Sequence, residues 1–150
     1  MSKTDLILEA LFTGADEAEI ARREAEAPKI MAQEWIDEFL ERDDIKKNPD
    51  GSYDVNGNVE LVGLVVTKIP VKFNHVSGNF VCTYNNFTSL EGAPKTVGGD
   101  FWCHDTYLTS LEGAPKTVGG SFTCYNNKKT FTLADVYDAT ESVKGIIFYV

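Results

Sequence analysis

The strongest constraint on this chain is an internal repeat of 21 residues. Residues 76–96 are VSGNFVCTYNNFTSLEGAPKT, and residues 97–117 are VGGDFWCHDTYLTSLEGAPKT. A third copy begins at residue 118 with VGGSFTCYNNKKTF, and a degenerate copy occupies residues 55–75. A fixed period of this length, with no insertions, predicts a solenoid in which each copy forms one coil that stacks on the next.

Aligning the copies produces apolar columns, which no single coil could bury alone. The columns are Val55, Val76, Val97 and Val118; Val59, Phe80, Phe101 and Phe122; Leu61, Cys82, Cys103 and Cys124; Val66, Phe87 and Leu108; and Ile69, Leu90 and Leu111. The Phe-x-Cys step has a period of two and predicts a short strand with Phe and Cys inward, in a parallel sheet with strands about 4.8 Å apart. The Gly-Gly pair before the strand and the Glu-Gly-Ala-Pro after it predict turns.

The segments that flank the repeats predict caps. Residues 1–50 are interpreted as an acidic helical N-terminal cap, with one helix over Asp5–Phe12, a second over residues 16–27 and a third that Pro28 opens. The third helix carries an apolar stripe of Met31, Trp35, Ile36, Phe39 and Leu40. We expect this stripe to cover the first coil, because an open terminal coil exposes core and strand edge.

The repeat resembles the leucine-rich pattern L-x-x-L-x-L-x-x-N-x-L-x-x-L. Asn85 and Asn127 match the Asn place, whose amide in that family bonds to the backbone at the turn, whereas Leu64 and Thr106 depart from it and predict a broken Asn ladder. The segment LTSLEGAPKTVGGDFWC is similar to short repeat proteins commonly encoded by tailed bacteriophages and some bacteria. That resemblance covers roughly residues 34–130, and it implies a fold without a single activity.

These observations predict an α+β chain built on a short four-coil leucine-rich-repeat-like solenoid with a parallel sheet. The solenoid spans residues 51–131, with coils starting at Val55, Val76, Val97 and Val118. Residues 132–150, where the apolar columns fail, are interpreted as a small C-terminal cap with a helix around 133–141 and a final strand from Gly145.

Charge and cysteine content limit the functional classes. The net charge is −9, and residues 1–50 hold 14 acidic against 7 basic residues. Such a chain, without a basic patch, predicts no direct nucleic-acid binding and favours a basic protein surface as partner. No stretch approaches the roughly 20 apolar residues of a membrane span, no signal peptide is evident, and three cysteines fit a reducing compartment. We therefore expect a cytoplasmic protein, located in the host bacterial cytoplasm if it is phage-encoded.

The candidate catalytic and metal-binding residues do not form a consistent site. Cys82, Cys103 and Cys124 fall on inward positions, whereas His104 points to the opposite face, so we expect core thiols and no metal. The GAPKT segments lack the glycine that precedes the lysine in a phosphate-binding loop, and no catalytic triad or carboxylate pair is evident. The sequence predicts no cofactor and no enzymatic activity.

The outward positions of the predicted strands vary from coil to coil, which is typical of a recognition face on a constant frame. Exposed aromatic residues favour binding interfaces. The predicted partner-binding residues are Tyr84, Asp100, Trp102, His104, Asp105 and Tyr125. A secondary acidic surface, formed by Glu34, Asp37, Glu38 and Glu41, could imitate a row of phosphates.

The function expected from the sequence is a non-catalytic protein–protein interaction module. The resemblance to phage repeat proteins suggests an effector that binds and inhibits a host defence protein. Three alternatives remain open: a structural or virion-associated protein, an acidic nucleic-acid mimic, and a small-ligand or sugar binder that uses Trp102 and Tyr125. Self-association is possible under each of them.

Overall fold

Among the described residues, the N-terminal part contains one long helix. The computed structural model describes Gly14 and residues 16–150, and the chain divides into two compact units, Met1–Arg42 and Asp43–Val150. Helix α1 spans Glu17–Leu40, and Asp16 caps it by accepting a hydrogen bond from Glu19 N at 2.9 Å. The helix predicted over Asp5–Phe12 lies outside the described residues, and the covering of the first coil stays a prediction.

Pro28 lies inside α1, so the prediction that it opens a separate helix is wrong. A proline in a helix removes one backbone hydrogen bond and crowds the preceding turn. The residues before it are mostly Glu, Ala and Arg, which are strong helix formers, and Ala27 beside it is fully buried. One continuous helix over Glu17–Leu40 therefore replaces the two that were predicted.

Each coil of the second unit contributes two short strands, and one further strand precedes the first coil. The strands are β1 Ile45–Lys47, β2 Tyr53–Val55, β3 Val59–Glu60, β4 Phe73–Val76, β5 Phe80–Val81, β6 Thr96–Val97, β7 Phe101–Trp102, β8 Thr117–Val118, β9 Phe122–Thr123, β10 Ser142–Val143 and β11 Ile147–Phe148. One sheet has the order β1-β2-β4-β6-β8-β10, and the other β11-β9-β7-β5-β3. All neighbours are parallel except β1 and β2. The predicted Phe-x-Cys strands form the second sheet, and the repeat pattern did not predict the first.

The predicted α+β solenoid is confirmed, and it has about five turns instead of four. The fifth turn is the C-terminal segment: β10 pairs with β8, and β11 pairs with β9. Helix α2, Leu133–Ala139, precedes these strands and begins with a capping box between Thr132 and Asp135. Ile147 aligns with Phe122, a step of 25 residues where the earlier coils take 21. The predicted cap thus continues both sheets.

The core is the stack of inward columns that the repeat predicts. Phe80, Phe101 and Phe122 are fully buried, with ring centroids 5.7 Å apart for the first pair and 5.1 Å for the second. Phe131 is also buried, in the stretch where the repeat fails. Each coil therefore covers the apolar core of the coil before it, as expected for a solenoid.

A polar ladder crosses the interior at the turn after the second-sheet strands. Asn127 Nδ2 donates to Cys103 O at 3.1 Å, and Leu108 N donates to Asn127 Oδ1 at 3.1 Å. Asn85 bonds in the same way two coils earlier. The ladder of amides is interrupted at Thr106, as predicted, but the Thr106 hydroxyl lies 3.0 Å from Cys103 O and contacts Asn127. A hydroxyl thus satisfies the backbone where an amide is missing.

Candidate functional site

The outward face of the second sheet carries large exposed aromatic side chains between small buried ones. In register across the sheet lie, in order, Glu60, Val81, Trp102, Thr123 and Phe148. Trp102 and Phe148 are 39% and 47% exposed, whereas Val81 and Thr123 are 9% and 7% exposed. The two aromatic side chains therefore stand above this row and flank the position of Thr123.

One column of outward side chains joins successive coils through hydrogen bonds to the backbone. Asn58 Oδ1 accepts from Asn79 N at 2.8 Å, Asn79 Oδ1 accepts from Asp100 N at 2.8 Å, and Asp100 Oδ1 accepts from Ser121 N at 2.7 Å. Ser121 Oγ then accepts from Ile146 N at 3.2 Å. Asp100, a predicted partner-binding residue, thus holds the next coil with one carboxylate oxygen. Its binding role stays a prediction.

His104 lies at the centre of an aromatic cluster. Its ring stacks on Tyr125 with centroids 4.6 Å apart and planes 12° from parallel. Tyr84 meets it edge-on at 6.1 Å, and the ring of Trp102 lies 6.3 Å away. The structure therefore brings together the four predicted ring residues, which come from three successive coils or turns. Aromatic pairs with such geometry are worth about 0.5–1.5 kcal/mol beyond the area they bury.

Asp105 fixes the imidazole of His104. The distance from His104 Nδ1 to Asp105 Oδ2 is 2.6 Å, and Asn126 Nδ2 contacts the other carboxylate oxygen. The hydrogen bond from His104, together with the one from Asn126, holds the pKa of Asp105 below its ordinary value. An ionised carboxylate only accepts, so Nδ1 carries the proton, and in the neutral imidazole Nε2 is left as an acceptor.

Tyr84 has a strained backbone. The corner after the second-sheet strand is left-handed in every repeat, with φ values of 67° at Gly63, 57° at Tyr84, 52° at Asp105 and 54° at Asn126. Glycine, aspartate and asparagine tolerate this region, whereas a bulky side chain there costs about 1–2 kcal/mol. Tyr84 is 59% exposed, so burial does not offset that cost. Strain of this kind at an exposed aromatic residue points to a functional role.

Replacing Tyr84 with asparagine is expected to raise the free energy of unfolding by about 0.5 kcal/mol, since relief of about 1–2 kcal/mol of backbone strain exceeds the loss of one edge-on ring contact. Tyr125→Asn is the matched control, because φ at Tyr125 is not positive and its ring stacks on His104. We expect Tyr125→Asn to lose about 1 kcal/mol. Urea unfolding of both variants measures the difference, and equal losses would contradict the strain at Tyr84.

Two shallow depressions lie on this face. The first, of about 360 Å³, is lined by Asp100, Trp102, His104, Ser121, Thr123, Tyr125 and Phe148. The second, of about 450 Å³, is lined by Tyr84, Asp105, Thr106, Tyr107, Asn126, Asn127 and Lys128. All six predicted partner-binding residues line one or the other. Phe148 was missed because it lies beyond the last recognisable repeat, although its Ile-Phe-Tyr-Val context is typical of a strand.

The three cysteines lie in the core, as predicted. Cys82, Cys103 and Cys124 are buried and free. Burial raises the pKa of Cys82 and of Cys103 well above the ordinary thiol value and that of Cys124 to about 12. Within Gly14 and residues 16–150, no group of three His, Cys, Asp or Glu side chains is placed to hold a metal ion. The thiols therefore remain protonated packing groups.

The secondary acidic surface lies on the C-terminal half of α1 and just after it. Asp37 accepts a hydrogen bond from Gln33 Nε2 at 2.7 Å, and Asp37, Glu38 and Glu41 are exposed. Further along the helix towards its start, Glu19 binds Arg22 Nη2 at 2.7 Å and Arg23 Nε at 2.6 Å. The hydrogen bond from Arg22, with that from Arg23, lowers the pKa of Glu19 to about 2. Arg22 and Arg23 thus neutralise Glu19, which lies outside the secondary acidic surface.

The described part of the chain has no helix with the length and apolar character needed to cross a membrane. Comparison of the chain with protein-family models, with curated protein sequences and with solved structures found no match. The class that the fold defines is a short parallel β-solenoid, with a helical segment before it in the sequence and a cluster of aromatic side chains on one sheet.

Proposed function

We propose that this chain is a non-catalytic protein-binding module whose recognition surface is the aromatic cluster of Tyr84, Trp102, His104 and Tyr125. The observation that carries the proposal is the strained backbone of Tyr84, which keeps an exposed ring against His104 at the centre of the cluster. Exposed Trp and Tyr side chains are the preferred anchors of protein interfaces. The rigid ladders beneath the cluster reduce the ordering cost of binding.

The partner is a protein of the cell in which the chain acts. The similarity of LTSLEGAPKTVGGDFWC to phage repeat proteins supports a finer proposal, that the chain is a phage effector that inhibits a host defence protein in the bacterial cytoplasm. The net charge of −9 supports a partner with a basic surface. The nucleic-acid mimic is the weaker candidate, because Glu19 and Glu26, which would extend the secondary acidic surface along α1, pair with arginines of the same helix.

Affinity capture from bacterial lysate with the Trp102→Ala/Tyr125→Ala double variant tests this function. We expect wild type to retain a discrete host protein. The double variant should retain at least about tenfold less of that protein, as expected when two interface anchors are removed. The matched control is Tyr137→Ala, an exposed aromatic residue on α2 that lines neither depression, and it should capture as wild type does. All three proteins must show the same circular dichroism spectrum and cooperative melting.

Two outcomes would contradict the proposal. Capture that is unchanged in the folded double variant would remove the aromatic cluster as the binding surface. Wild type that captures nothing, but sediments as a large assembly, would favour a structural role over binding to a host protein.

A further inference from the structure

The depression of about 360 Å³ between Trp102, Tyr125 and Phe148 is rich in acceptors and lacks a compensating positive charge. None of the described residues that line it is lysine or arginine. Asp100 binds the backbone through Oδ1 alone, and its Oδ2 makes no hydrogen bond within the described part of the chain. That oxygen is accessible to solvent. Asp100 therefore lines the depression with a carboxylate that has one oxygen free of hydrogen bonds among the described residues.

His104 supplies a second acceptor to the same depression. Its Nδ1 is committed to Asp105 at 2.6 Å, and its Nε2 has no hydrogen bond to any residue of the described ranges. Like Asp100 Oδ2, this nitrogen is accessible to solvent. In the neutral imidazole Nε2 can only accept. With the imidazole neutral, Asp100 Oδ2 and His104 Nε2 can both accept from a ligand with two or more donors.

Aromatic rings form the walls around these acceptors. Trp102 and Phe148 are the exposed side chains on either side of Thr123, and Tyr125 stacks on His104. The faces of such rings attract cations, most strongly at tryptophan. A guanidinium is planar, carries five donors and no acceptor, stacks on aromatic faces and is always charged. It matches the charge, the donors and the walls of the depression together.

We propose that this depression binds an arginine side chain presented by a basic segment of the partner protein. The inference rests on the proposed function, and it names the chemistry of the partner. The guanidinium stacks between Trp102 and Tyr125 and donates to Asp100 Oδ2 and to His104 Nε2. A neutral sugar would also stack on the rings, but it would leave the Asp100 carboxylate without a counter-charge.

The test uses the fluorescence of Trp102 in the full chain with Trp35→Phe, since the chain has two tryptophans and Trp35 stacks on Phe39 at 5.0 Å. The probes are Nα-acetyl-arginine amide and Nα-acetyl-citrulline amide, which share a shape and differ in charge. We expect the arginine probe to bind about tenfold more tightly than the citrulline probe, because citrulline lacks the cation. N-acetylglucosamine methyl glycoside is the probe for the sugar reading.

Asp100→Asn is the decisive variant. Asn79 holds the same ladder position one coil earlier with an amide oxygen, so the substitution keeps the acceptor for Ser121 N and removes only the charge. We expect binding of the arginine probe to fall about fivefold to tenfold. Glu141→Gln, an exposed neutralisation on the last coil, changes net charge equally and should leave binding unchanged.

Equal binding of the arginine and citrulline probes, no fluorescence response to the arginine probe, or unchanged binding in Asp100→Asn overturns the inference. Tighter binding of the glycoside also overturns it and assigns the depression to sugars. The outcomes separate from those for the function. If the arginine probe fails while the Trp102→Ala/Tyr125→Ala variant still loses its captured protein, the binding module stands without an arginine site. If the probe binds while capture is unaffected, the site stands and the cluster is not the partner surface.

Discussion

Replacing Phe101 with alanine is expected to lower the free energy of unfolding by about 3–5 kcal/mol, the usual cost of removing a fully buried phenylalanine. Phe101 lies in the central coil and stacks on Phe80 and Phe122. In a solenoid each coil is stabilised only by its neighbours, so a cavity in the middle weakens two interfaces at once. Denaturant unfolding of the whole chain measures the loss.

The matched control is Trp102→Ala, the neighbouring aromatic residue of the same strand. Trp102 faces outward and is partly exposed, so its removal leaves the stacked column intact. We expect a loss of about 1 kcal/mol or less. Similar losses for the two variants would show that the phenylalanine column does not carry the stability of the solenoid.

Gly119→Ala is expected to cost about 3 kcal/mol or more, at the upper end of overpacking effects. A Cβ at Gly119 would lie 2.1 Å from Gly98 O and 2.9 Å from Gly98 C. Those atoms belong to the backbone of the preceding coil and have no rotamer through which to move. The coils would have to separate, which also weakens the bond from Gly119 N to Val97 O at 2.8 Å.

Ser77→Ala is the control for Gly119→Ala, because Ser77 holds the same place in the first full coil and already carries a Cβ. Its hydroxyl makes one exposed hydrogen bond, to Asn56 Oδ1 at 3.2 Å. We expect a loss of about 0.5 kcal/mol. A thermal melt that shows Gly119→Ala as stable as Ser77→Ala would contradict the close approach of the coils.

The repeat predicted the solenoid because the burial that stabilises each coil recurs with the same period. Phe101 and Cys103 have the same environment as their equivalents in the neighbouring coils. The first sheet was not predicted because its strands in the clearest repeats, β6 and β8, are two residues long and read Thr-Val before Gly-Gly, with no alternation to mark them. The fifth turn was not predicted because Ile147 follows Phe122 by 25 residues. Aligning the sequence at the period of the earlier coils therefore does not place Ile147 under Phe122. In both cases the strand forms because it stacks on an existing coil, and the local strand propensity of the sequence does not indicate it.

The candidate face was predictable as a set of positions but not as a geometry. Alternation placed Trp102 and His104 outward, and both lie there. The sequence could not show that Asp105 orients His104, since the contact depends on a left-handed corner that only the backbone reveals. Nor could it show that Asp100 serves the frame, although the column of Asn58, Asn79 and Asp100 contains only short acceptors.

Stacking in strict register also has an evolutionary consequence. Residues 88–99 and 109–120 have the same sequence, TSLEGAPKTVGG, and each stretch ends where the variable strand begins. Recombination between two such identical stretches would insert or delete one whole coil and leave every backbone bond between coils with an equivalent partner. The solenoid can therefore lengthen by whole coils that stack in the same register, and each added coil brings its own outward side chains.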